Sequence, residues 1–90
     1  MLPDDRIRLQ HMLDATQAAI GFLCARDRLD LDTDTMLLFA TVRALEVIGE
    51  AAGKVSDNTR SAAPQIAWRA MVGMRNRLIH GYFDIDTEVV

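Results

Sequence analysis

Ninety residues carrying ten Lys and Arg, thirteen Asp and Glu and two His have a formal net charge of −3. That is too short a chain for two separate cores and too acidic a one for a protein that coats nucleic acid through many phosphate contacts. Half of the residues are apolar and 26% are charged, which excludes intrinsic disorder and predicts one folded domain over 1–90.

A domain of this size buries only about 60–65% of the surface of its unfolded chain, so oligomerisation is a natural source of further stability. No apolar run approaches the roughly 20 residues of a membrane span, and Met1-Leu2-Pro3-Asp4-Asp5 lacks the basic and then apolar layout of a secretory leader. The expected compartment is the cytoplasm. The one cysteine, Cys24, cannot form an internal disulfide and is predicted to be a buried helix residue.

The charge is unevenly spread. Residues 1–50 hold five Arg against nine Asp and Glu, whereas 51–83 hold Lys54, Arg60, Arg69, Arg75 and Arg77 against Asp57, and Asp84, Asp86 and Glu88 follow. The middle segment suits either a phosphate chain or acidic helices of the same chain, and charge by itself favours the second.

In chain order, Asp4 and Asp5 are candidate N-caps for a first helix over about 5–28. Leu9, Met12, Leu13, Thr16, Ala19, Ile20 and Leu23 recur along it at the spacing of one helix face. The stretch from Asp30 to Thr35 has short polar side chains that bond their own backbone, and it predicts a loop in which Thr33 or Asp34 caps the next helix. The second helix is expected over about 34–55, with Leu38, Val42, Leu45, Ile48 or Gly49, Ala52 and Val55 inward. Gly49 and Gly53 each cost such a helix about 1 kcal/mol relative to Ala, and the close approach of another helix is the simplest compensation. Ser56 to Pro64 reads as a connection with one short helical turn, and a third helix follows over about 66–81. With no period-two run anywhere, the fold class is all-α, a small antiparallel helical bundle.

The third helix carries the candidate chemistry. Turning about 100° per residue from Met71 places Met74, Leu78, Ile79 and Val72 on one apolar arc. Asn76, His80, Gly73 and Arg77 fall together on the far side, at about 140°, 180°, 200° and 240°. Arg75 falls inside the apolar arc, so its guanidinium must find a carboxylate or reach round the helix, with Glu46 and Glu50 of the second helix as the expected partners.

Cutting RNA through its own 2′-hydroxyl requires a base, an acid and a cation over the developing phosphorane charge. Histidine titrates near neutrality, and Arg grips phosphate in a bidentate fork. No metal ligand cluster or cofactor motif is visible in the sequence. On the residues alone the bland alternative stays open, with His80 as a cap or dipole partner at the helix end and Arg with Asn on a solvated face.

The string Met74-Arg75-Asn76-Arg77-Leu78-Ile79-His80-Gly81-Tyr82 resembles the Arg-x4-His-x-Tyr signature of HepT-like toxins in the HEPN superfamily. Ile48-Gly49-Glu50-Ala51-Ala52 and Pro64-Gln65-Ile66-Ala67-Trp68 resemble that family's pattern in the same order, and the likeness covers nearly the whole chain. The resemblance implies a homodimeric helical bundle whose two sites converge at the subunit interface, acting as a metal-independent endoribonuclease without cofactor. In it Arg75 would stabilise the phosphate charge, Asn76 would orient the site and His80 would be the acid or base, with Glu50 and Arg77 in support. It also implies a partner, a minimal nucleotidyltransferase (MNT) acting as antitoxin by attaching adenylyl groups to Tyr82. The family usually continues past the motif with another helix, which this sequence is expected to lack.

Two other readings remain at this stage. One is a non-catalytic docking or substrate-positioning module for a nucleotidyltransferase, and the other is a structural dimer whose third-helix stripe is an inter-subunit hydrogen-bond network.

Overall fold

A proline at the first helical position opens α1, which spans Pro3–Leu23 in the computed structural model; residues 2–80 are described, with side chains as far as Leu78. The fixed φ of proline suits that position, where a backbone N–H would have no helical partner. Neither Asp4 nor Asp5 caps the helix, as the sequence had suggested; the cap position is Leu2, without a side-chain bond.

Asp5 instead reaches the far end of the chain segment it packs on. Its carboxylate accepts the Ser56 N–H at 2.9 Å, the Ser56 hydroxyl at 2.5 Å and the Thr59 hydroxyl at 2.6 Å. The residue is 2% exposed. The Ser56 hydroxyl, then Thr59 and the Ser56 N–H, hold its carboxyl below the usual carboxylate range.

The face of α1 also departs from expectation. Met12, Ala15 and Ala19 are buried while Leu13, Thr16 and Ile20 are exposed. The small Ala side chains allow a neighbouring helix to come close, and that contact sets the inward face more than side-chain size does. Cys24, expected to be buried, is exposed at the C-terminal end of α1. Ala25 follows with φ 59, a left-handed turn that ends the helix well before residue 28.

The segment expected as a loop contains a second helix, α2, over Arg28–Thr33. Asp27 and Asp30 form a reciprocal capping box. The Asp30 N–H donates to Asp27 Oδ1 at 3.0 Å, and the Asp27 N–H donates to Asp30 Oδ2 at 2.9 Å. The side chains that interrupt one helix therefore start another. Asp34 caps α3, Thr35–Lys54, by accepting the Leu37 N–H at 3.1 Å. Arg26 joins the two caps, pairing with Asp30 at 3.2 Å and Asp34 at 2.9 Å. These pairs are solvent-exposed, so they fix geometry more than they add stability.

Helix α3 is the central element, with both α1 and α5 packed on it. Val42, Ile48, Gly49 and Ala52 are buried along it and Val55 at its C-cap, at the predicted period, whereas Leu38 and Leu45 are only half-buried and Leu37, not expected inward, is buried. Ser56 then caps the short α4, Asp57–Ala62, and Trp68 opens α5, Trp68–His80. The Trp68 indole N–H donates to the Ala63 carbonyl at 3.0 Å, which anchors the start of α5. Met12, Ala15, Ile48, Ala51, Ala52, Val55 and Trp68 form the core.

The directions follow from two contacts. Asp5 at the start of α1 meets Ser56 just past the end of α3, and positions 49 and 53 of α3 meet 75 and 72 of α5. Both neighbours are therefore antiparallel to α3. Among the described residues there is no strand, and no helix is long and apolar enough to cross a membrane.

Candidate active site

At Gly49 the helices α3 and α5 approach closely. A Cβ built there would clash with Cβ of Arg75 and lie 2.6 Å from the Met71 carbonyl oxygen. The missing side chain lets the α5 backbone seat against α3, the compensation expected for a glycine in a helix interior. At Gly53 the nearest atom, Val72 Cγ2, is 3.6 Å away, an ordinary contact. Only the first of the two glycines is thus required by a close approach.

Arg75 is held by this contact. Its residue is half-buried, its Nε is buried without a hydrogen-bond partner, and its Nη1 donates to Asn76 Oδ1 at 3.3 Å. The expected carboxylate partners are engaged elsewhere. Glu46 pairs with Arg43 at 3.4 Å and Glu50 with Lys54 at 3.6 Å, both within α3. One helical turn supplies each of those glutamates with a cation at i−3 or i+4, at less ordering cost than reaching across to α5. Among the described residues Arg75 forms no ion pair with a carboxylate.

Asn76, Gly73 and Arg77 are exposed on the polar stripe of α5, as the wheel predicts. A Cβ on Gly73 would meet nothing within 4 Å. The backbone of His80 closes the described part of α5, one turn beyond Asn76; its side chain and Tyr82 lie outside what the structure describes. Glu50 is not brought to this place. It lines a recess between α1 and α3 with Arg8, His11, Arg43 and Lys54. Among the described residues no group of three His, Cys, Asp or Glu is arranged to hold a metal ion.

The stripe borders a groove of about 550 Å³ lined by Gly53, Arg60, Trp68, Arg69, Val72, Gly73 and Asn76. Arg60 and Arg69 were counted in the basic middle segment, but sequence reasoning did not attach them to the site. A signal was present for Arg69: seven residues before Asn76, it falls within about 20° of it on the wheel.

Residues 12–90 match the family described as "Ribonuclease HepT-like". The chain belongs to the HepT-like ribonuclease family. Within the family's neighbours, a Methanocaldococcus jannaschii protein named "Putative RNase MJ1380" is 37% identical over 83 residues, which cover 92% of this chain and 76% of that protein. "Probable ribonuclease HepT" of Thermococcus cleftensis is 43% identical over 61 residues, 68% of this chain and 56% of that one. "Putative RNase TTE0752" of Caldanaerobacter subterraneus is 32% identical over 82 residues, 91% of this chain and 73% of that one. No solved structure matches the chain. Membership of the HepT-like family, within the HEPN superfamily, fixes the coarse activity as ribonuclease and agrees with the all-α architecture.

Proposed function

We propose that this HepT-like chain is a metal-independent endoribonuclease and the toxin of a toxin-antitoxin pair. It works as a homodimer and cleaves RNA by 2′-hydroxyl transesterification. The observation that carries the reading is the state of Arg75: a cation fixed against Gly49, bonded to Asn76 and, among the described residues, without a carboxylate partner. A guanidinium so placed can stabilise a phosphorane without first breaking an ion pair, and preorganised charge of this kind is the largest single term in many enzymes.

The 2′-oxygen attacks the adjacent phosphorus as one His80 imidazole takes its proton. The P–O5′ bond then breaks, and a second, protonated His80 gives a proton to the leaving oxygen. The products are a 2′,3′-cyclic phosphate and a 5′-hydroxyl. Each chain has one His80, so base and acid come from two copies. Exposed Ile20, Phe22, Leu29, Met36 and Phe39 support such pairing. They belong to the end of α1, to α2 and to the start of α3, and exposed apolar side chains of this size suit a second copy.

Restraint is assigned to a minimal nucleotidyltransferase that adenylylates Tyr82. A bulky anion two residues from His80 would fill the cleft and repel an RNA phosphate. Arg77, exposed on the same stripe of α5, is assigned a supporting part.

The deciding experiment incubates wild-type protein and His80→Ala with total RNA in chelator and examines fragment ends. Cyclic phosphate termini from the wild type and none from the variant support the reading. Equal fragments from both, or none from either, discard catalysis and leave a docking module. Intact mass after incubation with ATP and the cognate nucleotidyltransferase tests Tyr82, where an unchanged mass discards the modification.

A further inference from the structure

Every polar side chain at the groove beside α5 is a hydrogen-bond donor. Arg60 and Arg69 contribute guanidinium groups, and Asn76 contributes its amide nitrogen, because its oxygen already accepts Nη1 of Arg75. Among the described residues no carboxylate lines the groove. Arg60 spends one Nη on the Ala52 carbonyl at 2.8 Å, and its Nε is buried without a partner. Arg69 is exposed and bonds to no described residue.

We infer that this groove between α3, α4 and α5 binds a phosphodiester of single-stranded RNA beside the point of cleavage, with Arg69 and Arg60 as its phosphate contacts. A donor-only lining calls for an acceptor-only ligand, and non-bridging phosphate oxygens are such acceptors. The shape agrees. Gly73 leaves its floor open, with nothing within 4 Å of a side chain there. Arg69 and Asn76 stand two turns apart on one stripe, about 10.5 Å along the axis, so a strand lying on α5 passes Arg69, then Gly73, then Asn76. An RNA contact of this kind gives a use to the basic middle segment of an acidic chain, since α5 carries Arg69, Arg75 and Arg77 and no Asp or Glu.

The inference rests on reading α5 as the RNA-cutting helix, and its test is separate from cleavage. The full-length chain is titrated into a fluorescein-labelled single-stranded RNA with 2′-O-methyl riboses, which cannot be cut by its own 2′-oxygen, at several salt concentrations. Arg69→Ala should bind about tenfold more weakly, to a similar extent for different sequences. The slope of log affinity against log salt should fall by about 0.7, the value for one phosphate contact on a single strand. Arg6→Ala, which removes one exposed cation from α1, should retain wild-type affinity and slope.

Wild-type affinity and slope in Arg69→Ala overturn the groove, as does an equal loss in Arg6→Ala. Absence of wild-type RNA binding also overturns it and leaves the donors to an acidic protein. If the wild type binds with the stated Arg69 dependence but cuts no RNA, the groove stands and the nuclease reading fails.

Discussion

Cβ of Arg75 crowds the point at which a side chain on Gly49 would start, so the position of the candidate catalytic cation is set by a glycine on another helix. Because the Met71 carbonyl lies 2.6 Å from the same point, the obstacle is partly backbone and cannot rotate away. Gly49→Ala should therefore destabilise the fold by about 1–3 kcal/mol through overpacking, despite the better helix propensity of Ala. Thermal unfolding would read this as a drop of about 4–8 °C per kcal/mol for a domain of this size. Gly53→Ala meets only an ordinary contact and should be neutral or stabilising by up to about 1 kcal/mol. Equal midpoints for the two variants would show that α3 and α5 are not in such close contact at Gly49.

Removing Arg75 breaks no ion pair among the described residues, which separates its chemical part from its structural one. Arg75→Ala should keep the helical circular dichroism of the wild type while lowering the cleavage rate by about 10²–10³. Arg75→Lys keeps the charge without the planar fork and should recover little of that loss. Full activity in Arg75→Lys would mean that charge alone suffices and that bidentate geometry is not used.

The order and boundaries of the central helix were legible because its apolar residues follow one period and Asp34 stands where a cap belongs. The inward face of α1 was not legible from side-chain size, since Ala15 and Ala19 are buried while Leu13 and Ile20 are exposed. Long-range polar links gave no local signal either: Asp5 and Ser56 are 51 residues apart, so Asp5 read as a cap for its own helix. In the candidate site, the motif and the wheel placed Arg75, Asn76 and Gly73 on the right helix, and the glycine predicted the close approach. The partner of Arg75 was misjudged because spacing between helices hides competition within one. Glu50 finds Lys54 four residues away, and the cross-helix pair is not formed.

The Asp5 cluster makes stability depend on acidity in a definite direction. Its carboxyl titrates below the ordinary value when folded, chiefly through the Ser56 hydroxyl. The stabilisation is therefore fully present above the unfolded pKa, about 3.9, and is lost as pH falls through the lower folded value. Urea midpoints should show Asp5→Asn less stable than wild type at pH 7, with the gap closing below about pH 4. A gap that persists unchanged at pH 3 would show that the carboxylate charge is not what links α1 to α4.

Gly73 separates the site from the fold. It is exposed in the middle of α5, and an added side chain would enter open space. Gly73→Ala should raise stability by about 1 kcal/mol, because Ala orders in a helix at less entropic cost. Gly73→Leu should also fold, gaining nearly as much from propensity, yet its side chain would stand in the groove between Arg69 and Asn76. The expected result is a raised unfolding midpoint together with weakened RNA binding, a combination that a merely damaged protein does not produce. If Gly73→Leu binds and cuts RNA like the wild type, the substrate does not lie on this stripe of α5, and the glycine is there for some other reason.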